Sequence, residues 1–172
     1  MENSKVDTAD ITADVVISQE ALLNHWQGHR RLTRKAIEAF PEKELFDFSI
    51  GGMRPFSQLI MEIAGISATG LSGVVSGNWI TLGELHGLRE KMPATKKELL
   101  KMWDEITVQL DSLWPEVTVD RFQETVLAFR QWEGTVCSMI LYWIDNEIHH
   151  RAQGFVYLRA LGIEPPAFWD RS

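Results

Sequence analysis

Four stretches of this chain repeat apolar residues at spacings of three and four, and each has its own start or stop signal. That period puts the apolar side chains of each stretch on one helical face. In "SQEALLNHWQGHRRLTRKAIEAFPEKEL" the face is Leu22, Trp26, His29, Thr33, Ile37 and Phe40, with Ser18 as N-cap and Pro41 as the stop. A second helix starts near Pro55, with an inward stripe of Leu59, Ile63 and Ile66 behind Phe56. A third begins at the capping box "TKKE", Thr95 to Glu98, continues through Leu99, Trp103, Ile106, Leu110 and Leu113, and stops at Pro115. The fourth runs from about Thr135 to Leu161, where Val136, Ile140, Trp143, Glu147, His150, Gly154, Tyr157 and Leu161 share a face. Gly162 ends it, and Pro165 and Pro166 prevent its resumption.

Four amphipathic helices without a strand core imply an all-α protein, a four-helix up-and-down bundle. Its long loops lie between helices 2 and 3 and between helices 3 and 4. The second helix is read through "FSQLIMEIAGISATGLSGVV", while the several glycines of segment 68–92 point to a loop with a short helical piece. "VTVDRF" and "TVLAF" carry β-branched and aromatic residues and could form a short hairpin. At 172 residues the chain is expected to be a single domain, with residues 1–15 polar and frayed.

Charge narrows the partners. The formal net charge is −7, and the basic runs "HRR" and "KK" are short and interleaved with acids, which disfavours nucleic acid. The single cysteine, Cys137, excludes an intramolecular disulfide and fits a reducing cytoplasm. No neighbour is set to activate its thiol, so it reads as a small apolar residue. The acidic start "MENSKVDTADITADVV" lacks the apolar core of a signal peptide, and no apolar run is read as a membrane span. A soluble, cytoplasmic protein is expected. Seven tryptophans and eight phenylalanines are many for one small bundle, and a homodimer would use some of them at its interface.

Polar residues on apolar stripes need a reason. Glu62 lies between Leu59 and Ile66, and Asn146, Glu147 and His150 fall within one turn of the last helix. Glu147 to His150 is a Glu-x-x-His step and Asn146 to His150 an i, i+4 step; either can aim two ligands at one point. A carboxylate with an imidazole suits Zn, Ni, Mn or Fe, and open positions would leave room for a bound water. The alternatives are a hydrogen-bonded core histidine and a Glu62 paired with an arginine. A di-iron centre would need two Glu-x-x-His motifs, and there is one. His149 points about 100° away from His150. His29, on the inner stripe of the first helix, could reach the same pocket as an acid or base, or simply pack against Trp143 or Tyr157.

"HHRAQGFVYLRALGIEPP" resembles the last helix of the DinB/YfiT-like family, whose pattern is close to His-x-x-x-His-Arg-Gly-Gln followed by Leu-Arg-x-Leu-Gly and prolines. "MRPFSQLIMEIAGIS" resembles that family's second helix and "HWQGHRRLTRKAIEAFPEKEL" its first, so the likeness spans about Ser18 to Pro166. The resemblance implies a four-helix bundle, often dimeric, and a divalent metal on three histidines. It also implies either a thiol-dependent transferase or isomerase acting on a small molecule, or a stress-related protein without catalysis. Carried over residue by residue, the triad becomes Glu62, Asn146 and His150, with Glu147 as a substitute for the amide. Arg151, Gln153 and Arg159 read as structural anchors. The two function classes are thus a metal-dependent transferase or hydrolase assisted by His29, and a non-catalytic protein with a metal-free pocket.

Overall fold

The computed structural model describes residues 17–172 apart from residues 90 and 92; the N-terminal stretch expected to fray, residues 1–15, lies outside them. Six α-helices are present among the described residues: α1 (Gln19–Ala39), α2 (Glu42–Asp47), α3 (Phe56–Ser76), α4 (Leu82–Arg89), α5 (Lys96–Leu113) and α6 (Val136–Ala160). The four long ones close on each other, α1 packing on α5 and α6, and α3 packing on the same two. Their starts are set locally. The Ser18 hydroxyl accepts from the Ala21 amide, Thr95 and Glu98 form both halves of a capping box, and the Thr135 hydroxyl accepts from the Ser138 amide.

The connections refine two readings. Helix α3 runs on to Ser76, so the reading of the second helix through Val75 holds; the loop begins only after it, and α4 is its short helical piece. The late glycines of α3 serve close packing: a Cβ on Gly70 would lie 2.6 Å from the Trp143 ring. The stop is Gly77, in the left-handed region at φ 73°. The hairpin exists, but its strands are β1 (Thr125–Ala128) and β2 (Trp132–Thr135), antiparallel with Thr125 opposite Thr135. "VTVDRF" instead contributes to a 3₁₀ turn at Asp120–Gln123, because β1 pairs with the nearer segment across a three-residue connection.

Helix α3 is more apolar than the sequence reading allowed. Its length of 21 residues and mean hydropathy of 1.5 would suffice for a membrane span, yet 56% of that stretch is buried inside the protein. It is the central core helix.

The core has two apolar clusters. One joins Leu22, Trp26, Ile66, Leu71, Leu110, Ile140 and Trp143; the other joins Leu32, Ile37, Phe56, Ile60, Trp103, Tyr157 and Leu158. Along α1 and α6 the residues between the two clusters are polar and buried: Gln27, His29, Arg30 and Thr33 on one helix, Glu147, His150 and Arg151 on the other. The fold therefore carries a polar belt at its waist, and buried polar groups of this kind must find partners.

A carboxylate–imidazole pair in the polar belt

Helix α6 presents its belt residues to two different neighbours. His150 turns toward α3, where its Nε2 lies 3.2 Å from Oε1 of Glu62. The other carboxylate oxygen of Glu62 is 2.7 Å from a guanidinium nitrogen of Arg54, in the segment leading into α3. That segment is tied to α6, since the Tyr157 hydroxyl donates to the Arg54 carbonyl at 3.0 Å. On the far side of the imidazole, Nδ1 is 2.7 Å from Oε1 of Gln153. His150 is only 7% exposed, so its orientation is set by these two contacts.

The hydrogen-bond inventory of the ring constrains what sits between His150 and Glu62. With Nδ1–H donated to the Gln153 oxygen, Nε2 of a neutral imidazole has only a lone pair, and it faces a carboxylate oxygen. Two acceptors at 3.2 Å require a proton or a cation between them. Donors sharing a divalent ion at about 2.1 Å each sit roughly 3.0–3.4 Å apart. The geometry suits a shared proton or an ion, with Gln153 and Arg54 as the outer groups that orient the imidazole and the carboxylate. Asn146 lies one turn before His150, and its Oδ1 is buried without a hydrogen-bond partner. Among the described residues no group of three or more His, Cys, Asp or Glu side chains gathers that could hold a metal ion.

Glu147 turns the other way, toward α1. It is fully buried; Oε1 accepts from the Thr33 hydroxyl at 2.6 Å, and guanidinium nitrogens of Arg30 and Arg151 each stand 4.0 Å from the carboxylate. Burial pushes its carboxyl up from the ordinary range, and Arg30, Thr33 and Arg151 pull against that shift. Arg30 is buried too, its guanidinium 3.9 Å above the Trp103 ring and bonded to Thr107 and the Trp103 carbonyl; burial lowers it to about 10. His29 belongs to the same network. Its Nδ1 accepts from Arg151 at 2.9 Å and its Nε2 lies 3.3 Å from Nε2 of His25. Burial lowers His29 to about 3, helped by the Arg151 and Arg171 charges. The structure thus brings Glu62 and His150 together, and separately Glu147 and His29.

Beside Glu62 a cavity of about 580 Å³ opens between α3, α4, the hairpin and α6. Its walls include Ile66, Leu85, Phe129, Trp132, Tyr142 and Trp143. Sequence reasoning missed Arg54 and the hairpin aromatics, which come from connections without a period. Arg30 was within reach: it falls four residues after Trp26 and three before Thr33, on the same stripe.

A family model described as the DinB family matches residues 12–171. Among solved structures, a DinB-like protein from Bacillus cereus is 18% identical with a TM-score of 0.63, covering 87% of this chain and 97% of its own. A DinB-like protein from Bacillus subtilis is 16% identical with a TM-score of 0.68, covering 88% of this chain and 99% of its own. No curated protein is similar enough to match. The two structural likenesses speak for the fold alone, and the match along nearly the whole chain speaks for descent: the chain belongs to the DinB family.

Proposed function

We propose that this protein binds a small molecule in the cavity beside Glu62, and that Glu62 Oε1, His150 Nε2 and the amide oxygen of Asn146 hold a divalent ion at its edge. The observation that carries this is the contact between Nε2 and Oε1, two acceptors 3.2 Å apart once Nδ1 has donated to Gln153. Zn, Ni, Mn and Fe suit a set of imidazole, carboxylate and amide. When bound, such an ion supplies Lewis acidity for a thiol or water nucleophile, which fits a transferase or hydrolase. The chain's own residues do the positioning. Gln153 holds the imidazole in one tautomer, Arg54 steadies the outer oxygen of Glu62, and Ile66 and Trp143 exclude water from the cavity wall. Glu147 is occupied by Thr33 and Arg30, and His29 acts as a neutral positioning group through Arg151.

A second reading has its own observation. Arg54 already stands 2.7 Å from Glu62, and a proton on His150 would close the same contact, giving a metal-free, non-catalytic pocket of the stress-related kind. Elemental analysis of protein purified without added metal or an imidazole column separates the two. About one ion per chain, or saturable zinc binding by calorimetry, is the expected result; no ion and no binding would leave the metal-free reading.

The same proposal takes the four long helices as the family's up-and-down bundle, supported by the pairing of α1 and α3 with α5 and α6. It takes the protein as a cytoplasmic homodimer. Support for the dimer comes from exposed apolar side chains on α6 and the C-terminal segment, Leu141, Val156, Phe168 and Trp169.

A further inference from the structure

We propose that the surface of α1 carries a binding site for a small oxyanion, a carboxylate or phosphate, between the His25 ring and the Arg171 guanidinium. Neither residue lines the cavity beside Glu62, so this site stands apart from the function proposed above.

A count of protons carries it. Four side chains stand in line from the core to the surface: Arg151, His29, His25 and Arg171. Their nitrogen–nitrogen distances lengthen outward, from 2.9 Å to 3.3 Å to 3.4 Å. A guanidinium has donors only, and a neutral imidazole has one N–H and one lone pair. Burial holds both rings below the ordinary histidine value, so both are neutral at pH 7. Arg151 donates to Nδ1 of His29, so the His29 proton is on Nε2 and points at Nε2 of His25. His25 accepts there, which places its own proton on Nδ1, facing Nη1 of Arg171. With a guanidinium at each end of the line, one contact must be donor against donor. It is the outermost and longest of the three. Moving the His25 proton to Nε2 only shifts the clash inward to His29, where burial makes an unmet donor costlier.

An oxyanion resolves the clash. It accepts from both donors at once, one bond from the His25 N–H and one from the arginine fork, which matches carboxylate and phosphate geometry. The contacts that Arg31 and Arg171 make among the described residues include no carboxylate. Asp145 on α6 opposes an anion here, but at His25 the Arg171 charge outweighs it. Asp145 makes no hydrogen bond to either residue among those described, and Asp170 is engaged by Lys35.

Arg171 is placed without the help of a carboxylate. Its backbone carbonyl accepts from Nε of Arg31 at 2.8 Å, and beside it Asp170 pairs with Lys35 at 2.9 Å. Its alkyl stem crosses α1 at Gly28, where a Cβ would lie 3.3 Å from both Cβ and Cδ of Arg171. Main chain and stem thus carry the guanidinium to His25 and leave its donors to a ligand. On the other ring, the T-shaped contact with His29 at 4.7 Å between centroids sets the direction of the His25 Nδ1–H.

The test is nitrogen–proton NMR of the histidine rings in the full chain at neutral pH, titrated with phosphate, succinate and chloride at constant ionic strength. His29 is expected with its proton on Nε2 and His25 with its proton on Nδ1. Phosphate or succinate should shift the His25 signals saturably, and chloride should not; the tighter of the two names the ligand's charged group. Arg171→Gln removes the charge and should weaken binding about tenfold, as expected for a lost charge-assisted bond. The backbone contact to Arg31 and the Lys35–Asp170 pair remain in that variant, so the segment keeps its place. Asp145→Asn, on the other helix, should tighten binding. A His25 proton on Nε2, no saturable shift, a response to chloride equal to that of phosphate, or unchanged binding in Arg171→Gln overturns the site. Binding by Asp145→Asn alone also overturns it, since Asp145 then fills the place in the natural chain.

Discussion

Arg151, in α6, donates to Nδ1 of His29, in α1, at 2.9 Å. The bond fixes the tautomer: Nδ1 keeps its lone pair, so the single proton of the neutral ring is on Nε2, toward His25. A second proton would have to displace the guanidinium.

That geometry makes His29 a source of acid sensitivity. Its value in the folded protein is lowered from 6.5 to about 3, so as pH falls the unfolded chain takes up the proton first. Stability from this residue is fully present above about pH 6.5 and is lost progressively between there and about pH 3. His25, also lowered by burial, adds in the same direction. Urea denaturation across this window should show the wild type losing stability faster than His29→Gln, by at most about 1.4 kcal/mol per pH unit. Parallel slopes for the two proteins would refute the assignment.

Glu147 and Arg30 are both fully buried, and each stabilises the other's charge. Removing one partner leaves the other uncompensated. Glu147→Ala should therefore destabilise the protein by about 3–5 kcal/mol. Glu147→Gln keeps an oxygen for Thr33 and should cost less. Neither variant should change zinc affinity measured on the folded protein, because the carboxylate faces α1 and not Glu62. Loss of metal binding in Glu147→Gln with an intact fold would put Glu147 back among the ligands.

Helices α3 and α6 meet closely at Gly154. A Cβ there would sit 2.3 Å from the Phe56 ring, which is itself stacked on Phe40 at 4.7 Å between centroids. Phe56 is fully buried, so its ring cannot swing out into solvent. Gly154→Ala should therefore cost about 1–3 kcal/mol by overpacking, although alanine is the better helix former. Thermal unfolding checks this; an unchanged or raised midpoint would mean that α3 and α6 can separate at no cost.

What the sequence makes legible depends on how local each cause is. Ser18, the Thr95–Glu98 box and Gly162 act within a turn of their own helix ends, so α1, α5 and α6 can be delimited by inspection. The end of α3 is marked less sharply: the helical reading extends through Val75, but Gly70 reads as a turn residue until Trp143 is known to lie against it. Glu62 and His150 can be paired in advance, since each interrupts an apolar stripe and needs a partner. Glu147 shares the stripe with His150, but three residues of helix rotate it by about 60°, enough to face α1 instead of α3. Arg54 and the aromatic hairpin come from connections, where no period announces their direction.

The donor set at the cavity edge makes the sharpest forecast. His150 supplies the imidazole that meets Glu62, so His150→Ala should abolish zinc and nickel binding. Glu62→Gln removes the only charged donor and should weaken binding severely while leaving the fold, because an amide can still accept from Arg54. Asn146→His should act in the opposite direction. Position 146 lies one turn before His150, its native amide oxygen is buried without a partner, and an imidazole there is a far stronger donor than an amide. Calorimetric titration of zinc and nickel into the wild type and the three variants ranks them. The expected order of affinity is Asn146→His, wild type, Glu62→Gln, then His150→Ala with none. If only Asn146→His binds, the natural chain works without a metal and the metal-free pocket is the correct reading. If His150→Ala binds as well as the wild type, the ion sits elsewhere and the pair with Glu62 is a hydrogen bond alone.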